Sequence, residues 1–297
     1  MPHRIEQLYE IMKNCTLCPQ ECKVNRFDGE KGICKGNNLP KVSSATLHYG
    51  EEPPLVGHFG SGTIFFAGCN LKCVFCQNYE LSHFQDGQTI SVNELAKLMI
   101  SLQANGAVNI NLVTPTHQVP QIVDALLLAK ERGLMIPIVY NCGGYESLKV
   151  IELLDGIIDI YMPDIKYFND EYALKFSRAK NYTDVVKSVV KKMHRQVGDL
   201  KLDRRGVAKK GLLIRHLVLP NKVCDSFKIL DFIASEISPD SYVNIMDQYH
   251  PAYNSFDYEE LKYPLYLPDY WDVVDYAKKL GLTSGLDQRK PYQKRIV

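Results

Sequence analysis

The chain is short of net charge, of long apolar runs and of any sign of secretion. Its 35 Lys and Arg against 34 Asp and Glu leave a formal charge of +1 at pH 7. So even a balance lacks the basic excess by which nucleic acid or an anionic membrane is usually bound. No nucleic-acid partner and no membrane partner are expected. No stretch approaches the roughly 20 consecutive apolar residues of a membrane-spanning helix. The opening run MPHRIEQLYEIMKNC is polar and periodic, without the apolar centre of a secretory signal, so a cytoplasmic location is expected. Low-complexity runs and internal repeats are absent as well.

What is present is the composition of an ordinary globular protein, with 45% hydrophobic and 23% charged residues over 297 positions. A chain of this length can bury a large core, and one main domain with an appendage is expected. From about residue 60, short apolar runs alternate with helical patterns, the signature of βα units around a parallel sheet. Six strands are predicted, at 63–67, 109–113, 136–141, 159–162, 212–219 and 242–246. Helices are predicted at 92–104, 119–132, 182–195, 226–237 and 271–280, the first opened by the capping box Ser91 and Glu94. The fold class is therefore α/β, a partial (β/α)6 TIM-like barrel behind a small cysteine-rich segment. Expected boundaries are 1–58 for the cysteine-rich segment, 59–250 for the barrel and 251–297 for a tyrosine-rich cap. In such sheets functional groups collect at the carboxyl ends of the strands.

Nine cysteines without a secretory signal point to metal or redox chemistry rather than disulfides. Cys69, Cys73 and Cys76 stand in Cys-x3-Cys-x2-Cys spacing directly after the first predicted strand. Three thiolates hold three corners of a [4Fe-4S] cube and leave the fourth iron an open position for a ligand. Cys142 and Cys224 stand alone. Cys15, Cys18, Cys22 and Cys34 form a second set on a short polar segment, enough for a closed tetrahedral site holding zinc or an auxiliary iron-sulfur cluster. A closed site is structural or passes electrons.

The three-cysteine motif, with aromatic Phe75 before the last cysteine and a strand before the first, resembles the radical S-adenosylmethionine (SAM) superfamily. The run from Gly60 through Glu80 is similar to uncharacterised homologues of the pyruvate formate-lyase-activating enzyme. The resemblance implies that SAM chelates the open iron and that one electron from the cluster cleaves it to methionine and a 5′-deoxyadenosyl radical, which abstracts hydrogen from substrate. It also implies a one-electron reductant such as flavodoxin or ferredoxin. The cofactor carries the chemistry while the protein positions it and excludes water.

Strand-end residues are then candidates for holding SAM. Where the family has Gly-Gly-Glu after its second strand, this chain has Thr114-Pro115-Thr116-His117, with no Glu to carry over. Thr114 and Thr116 either supply equivalent oxygens or form a plain turn. Asn141 resembles the Asn of the activating enzymes, or leads a glycine-rich turn. Asp164 and Lys166 match an Asp-x-Lys pattern that contacts the methionyl part of SAM, the alternative being a surface ion pair. Arg215, in an apolar run, needs an anionic partner if buried, and the SAM carboxylate is one. Its neighbour His216 is expected to point away and pack. His250 falls where the activating enzymes carry a histidine near the cofactor. No catalytic residue is assigned beyond these.

Substrate is where the sequence is least informative. The loop 198–211, with Lys201, Arg204, Arg205, Lys209 and Lys210, is either solvated or a site for an acidic protein or peptide. The tyrosines from Tyr249 to Tyr270 either cap the barrel mouth or pack an irregular chain end. The N-terminal cysteines precede the barrel, unlike the insertions of some activating enzymes, which argues against formate-lyase activation itself. A protein or peptide substrate is expected. Radical chemistry on a small molecule and a non-enzymatic electron-transfer protein are the alternatives, and only an enzyme needs the Asp164, Lys166 and Arg215 set.

Overall fold

The computed structural model describes residues 1–286. Six strands run parallel in the order β2 (Ser61–Phe66), β4 (Ile110–Val113), β5 (Ile138–Cys142), β6 (Ile160–Pro163), β8 (Ala208–Leu217) and β9 (Tyr242–Met246). These are the six predicted from the apolar runs. Every residue of β5 and β6 is buried, as expected where helices cover both faces of a parallel sheet. Three further strands lay outside the sequence expectation. β1 (Lys41–His48) pairs antiparallel with β2, β3 (Gln88–Thr89) pairs with β1, and β7 (Lys201–Leu202) pairs with β8. The basic loop 198–211 is thus in part a hairpin. β1 precedes residue 59, yet it pairs along the length of β2.

The helices follow the expected grammar. Val92–Ala104 is closed at its start by the full Ser91 and Glu94 capping box and buries Leu95, Ala96, Met99 and Leu102. Tyr182–Val197 buries Val186, Val189, Val190 and Met193 at helical spacing. Ser226–Phe232 runs on as a wider π turn through Ile237, and the last helix is Leu267–Lys279. Helices at Pro2–Ile11, Leu148–Leu153 and Asp170–Ser177 complete the outer layer. Among the described residues no helix is long and apolar enough to cross a membrane. Residues 287–297 of the expected cap lie outside the described residues.

The sheet curls until its two edges meet. Asn244 of β9 donates from Nδ2 to Glu52 Oε1 at 2.9 Å, joining the last parallel strand to the turn after β1. The carboxyl ends of the parallel strands then face one mouth, and at that mouth two glycines permit close approach. Gly68, at φ +91°, stands where a Cβ would lie 2.6 Å from the Cys34 carbonyl, so the N-terminal cysteine segment packs directly on the loop after β2. Gly144, at φ +74°, lets the end of β5 cross the Asp164 carbonyl, which a Cβ would meet at 2.4 Å.

Candidate metal and cofactor centre

The three-cysteine loop leaves the carboxyl end of β2 and is fastened to helix Asp170–Ser177: Lys72 and Val74 donate their N–H groups to the carbonyls of Ser177 and Phe176. Asn70, buried, donates to the Tyr145 carbonyl and ties the loop to the end of β5. Each thiol has its own polar neighbour. The Leu71 N–H reaches Cys69 Sγ at 3.4 Å, Ser177 Oγ donates to Cys73 Sγ at 3.0 Å, and Cys76 Sγ pairs with Ser82 Oγ at 3.2 Å. As the side chains stand, no group of three or more His, Cys, Asp or Glu among the described residues is closed around a metal position.

The chemistry of the donor set nevertheless fits an iron-sulfur cluster. Burial pushes the Cys69 thiol up to about 12, with Cys73 and Cys76 adding to the rise. It pushes Cys73 up to about 11, where Cys76 adds and Lys166 opposes. Cys69 and Cys73, buried and close to neighbouring sulfurs, need positive charge beside them to become thiolates, which bound iron would provide.

Facing this loop across the mouth is a charge set drawn from three strand ends. Arg215 of β8 donates from Nε to Asp164 Oδ1 at 2.8 Å and from Nη2 to Asn141 Oδ1 at 2.8 Å. Lys166 Nζ donates to Asp164 Oδ2 at 2.6 Å. The four residues predicted at the ends of strands β5, β6 and β8 therefore form one network. The anionic partner that Arg215 required is Asp164, with Glu52 at 4.0 Å on its far side. Burial works against ionisation of Asp164, but Arg215 and Lys166 outweigh it and hold the carboxyl below its usual range. Burial likewise opposes the charge on Lys166, and Asp164 overcomes it. All three groups stay ionised in a sheltered site.

Other predicted residues are placed differently. Thr116 is buried and donates from Oγ1 to Glu146 Oε1 at 2.7 Å. Thr114 sits at φ +58°, a genuine outlier for a β-branched residue. Strain of this kind gathers at functional sites. His250 is exposed on the rim, paired with Gln77 just after Cys76 at 3.2 Å, and stands apart from the Asp164 network. His216 packs as expected, between the Ile165 carbonyl and Ser226 Oγ.

Some polar residues escaped the sequence reading. Glu146, from the turn after β5, reaches Thr116 and Tyr140, bringing a carboxyl to the β4 end where the motif has none. Burial raises it to about 7. Inside the curl of the sheet, Glu51 faces Arg215, Glu52 and His48, and burial raises its proton affinity. Asn111 of β4 turns its amide to Glu51 and moderates that rise, while Glu52 Oε2 is buried without a partner among the described residues. Only the Glu51-Glu52 pair before Pro53-Pro54 could have flagged this group, and charge pairs at a turn are common on surfaces.

The N-terminal cysteines are gathered by a short ladder, with Cys15 N–H to the Val24 carbonyl and Lys23 N–H to the Cys15 carbonyl, both at 3.0 Å. Backbone N–H groups of Ile33 and Gly36 point at Cys22 and Cys34 sulfurs at 3.4 and 3.3 Å. Gly32 and Gly36 make room: a Cβ would lie 2.8 Å from Cys22 Sγ and 3.3 Å from Cys34 Sγ. Arg26, only 2% exposed, has no carboxylate within 4 Å among the described residues and donates to Cys34 Sγ at 3.4 Å. A buried guanidinium needs a counter-charge, and thiolates on a metal provide one. Glycine-backed sulfurs receiving N–H donors fit zinc and an iron-sulfur cluster alike.

Comparisons with known proteins identify the family and the fold. The radical SAM superfamily is the family whose sequence pattern matches this chain, over residues 63–202. The uncharacterised protein MJ0674 of Methanocaldococcus jannaschii is 34% identical over 289 residues, covering 94% of this chain and 78% of the relative. The pyruvate formate-lyase-activating enzyme of Clostridium pasteurianum is 29% identical over 134 residues, which is 42% of this chain and 54% of that enzyme. Among solved structures, SuiB of Streptococcus suis bound to S-adenosylmethionine aligns with a TM-score of 0.51 at 14% identity, over 76% of this chain and 49% of SuiB. That likeness concerns the fold.

Proposed function

This chain belongs to the radical SAM superfamily, and from that premise we propose that it cleaves SAM reductively at a [4Fe-4S] cluster on Cys69, Cys73 and Cys76 to abstract hydrogen from a protein or peptide. The observation that carries the reading is the meeting of the three-cysteine loop with the Asn141, Asp164, Lys166 and Arg215 network, since Lys166 lies close enough to Cys73 to ease its ionisation. When bound, the cluster supplies one electron to SAM, and homolysis of the sulfonium gives methionine and a 5′-deoxyadenosyl radical.

The residues then divide the positioning work. Arg215 and Lys166, fixed by Asp164, present cationic groups to the methionyl carboxylate, and Asn141 offers its amide beside them. Fixed charges in a sheltered site orient the cofactor without reorganising. Thr114 and Thr116 line the β4 end, with Glu146 behind them. The N-terminal cysteines hold a second metal, and His250 stands at the rim where substrate enters.

The polypeptide reading rests on the cavity beside the last parallel strand. A cavity of about 500 Å³ runs along β9, where Glu52, Asn244 and Gln248 among its lining offer polar side chains to an extended chain. SuiB has also been solved with its precursor peptide SuiA, at a TM-score of 0.50. The test is anaerobic reconstitution followed by dithionite and SAM. Formation of 5′-deoxyadenosine is expected, and its absence from a fully loaded, reducible cluster would sink the enzyme reading. Deuterium passing into 5′-deoxyadenosine from a labelled small metabolite, and from no cellular protein, would replace the polypeptide substrate.

A further inference from the structure

A second cavity, of about 400 Å³, opens on the outer side of the cysteine loop, away from the strand-end network. Lys72 and Val74, on either side of Cys73, line its floor, and Lys35, next to Cys34, lines its wall. The cavity therefore borders both cysteine sites. Lys175 and Arg178, at the end of helix Asp170–Ser177, complete a ring of cations with Lys35 and Lys72.

The sulfurs of Cys69, Cys34 and Cys76 lie near Lys72, but carboxylates balance few of these cations. Lys175 pairs with Glu260, but Lys35, Lys72 and Arg178 have no carboxylate within 4 Å among the described residues. Like charges held around a hollow repel one another, and an anionic occupant relieves that repulsion. The remaining wall is aromatic. Tyr253, held at φ +54°, lies 4.5 Å from the His83 ring and stacks on Tyr79 at 5.3 Å, and Phe84 is 66% exposed beside it. Exposed aromatic and arginine side chains ringed by one sign of charge are what protein interfaces use as anchors.

We propose that this cavity is the docking site for an acidic one-electron donor protein, which meets the enzyme through Lys35, Lys72, Lys175 and Arg178. The proposal rests on the radical SAM reading, since only that chemistry calls for a reductant. Three observations favour a protein over a small anion. Lys35, Lys175 and Arg178 are exposed at the rim of the cavity, an exposed aromatic stands among them, and the barrel side of the cysteine loop is taken by the Asp164 network. The dock serves a transfer in which the donor is oxidised and the cluster reduced by the same single electron, with no bond made or broken.

The experiment compares holoenzyme with the charge reversal Lys35→Glu/Arg178→Glu and with a matched reversal in the β7–β8 hairpin, Lys201→Glu/Lys210→Glu. An acidic flavodoxin is the probe. Its affinity for each holoenzyme is measured by titration, and cluster reduction is followed by absorbance, once with reduced flavodoxin and once with photoreduced deazaflavin. The cavity reversal should weaken flavodoxin binding and slow flavodoxin-driven reduction at least tenfold at low ionic strength, and flatten the salt dependence. Deazaflavin-driven reduction should stay within about twofold, and the hairpin reversal should change neither reading beyond that. Unchanged flavodoxin binding overturns the dock. So does an equal loss with both reductants, which would mean the cations act on the cluster itself, and so does an equal loss in the hairpin variant. A cluster that flavodoxin reduces normally but that yields no 5′-deoxyadenosine removes the radical SAM function and leaves the dock standing.

Discussion

The two cysteine regions lie side by side and are built in opposite ways. The N-terminal site is local: its sulfurs, its glycines, its N–H donors and the buried Arg26 all come from residues 15–36. The loop after β2 borrows its surroundings from across the chain, with Ser177 at Cys73 and Lys166 beyond it. Four thiols on one metal would leave no free corner, so the metal proposed there would serve structure or electron passage. A three-thiol loop facing a fixed charge network has room for a cofactor. The second depends on the barrel for its polar neighbours, whereas the first meets it where Arg26 donates to the His117 carbonyl and Gln85 to the Cys34 carbonyl.

The largest effects should come from removing one site at a time. Cys69→Ala/Cys73→Ala/Cys76→Ala should lose the four-iron complement and all 5′-deoxyadenosine formation, while keeping the N-terminal metal and a folded barrel. Cys15→Ala/Cys18→Ala should lose the other metal and with it local order at residues 15–36, since such sites take much of their folding energy from the ion. Iron and zinc analysis beside circular dichroism decides. If the triple variant keeps its full iron, the cluster is not held by Cys69, Cys73 and Cys76.

Asp164 tests whether the second region depends on distant parts. Asp164→Asn removes the carboxylate between Arg215 and Lys166 and leaves Arg215 only the more distant Glu52 and Glu51, and breaking a sheltered ion pair from one side costs about 3 kcal/mol or more. The denaturation midpoint should fall accordingly. Asp203→Asn in the exposed β7 hairpin should leave it in place. An unchanged midpoint for Asp164→Asn would show that water reaches the network freely.

These residues also show what the sequence could and could not reveal. The six parallel strands were legible because each is an apolar run and five of them have a strand on both sides, and helix Val92–Ala104 because Ser91 and Glu94 announce its start. β1 was missed because its Ser43-Ser44 stretch is half exposed and carries no clean apolar alternation. β7 was hidden inside a run of charge. The cysteines and the Asp164, Lys166, Arg215 set were visible as motifs. The partner that satisfies Arg215, and the arrival of Glu146 at Thr116, depend on which strand ends the curl of the sheet brings together, and no local pattern encodes that.

Glu146 lies between the two regions and gives the comparison a pH handle. Its carboxyl titrates at about 7 in the folded chain against 4.5 for the free group, chiefly because of burial. The native state therefore holds the proton more tightly than the unfolded chain, so this group lowers stability as pH rises from about 4.5 to 7. Glu146→Gln should abolish that slope, with a gain over wild type of up to about 3 kcal/mol at pH 8 and none near pH 4. Denaturation at the two pH values checks this, and a parallel pH profile in both proteins would place water or a cation against the carboxyl.

The smallest expected effect concerns Thr114, the one strained residue among the proposed SAM contacts. At φ +58° a β-branched side chain is held against its backbone preference, at a cost of roughly 1–3 kcal/mol. Thr114→Gly removes that strain but enlarges the unfolded ensemble, which takes back about 0.5–1 kcal/mol. A net stabilisation of about 1 kcal/mol is expected, read as a higher midpoint of denaturation. If the strained turn serves only to start the next helix, the variant should gain stability and bind SAM as before. The expected outcome is that stability rises while SAM affinity falls severalfold, because the hydroxyl at the β4 end is lost while its backbone path is kept. Higher stability with unchanged SAM affinity would remove Thr114 from the cofactor site and leave the β4 end to Thr116 and Glu146.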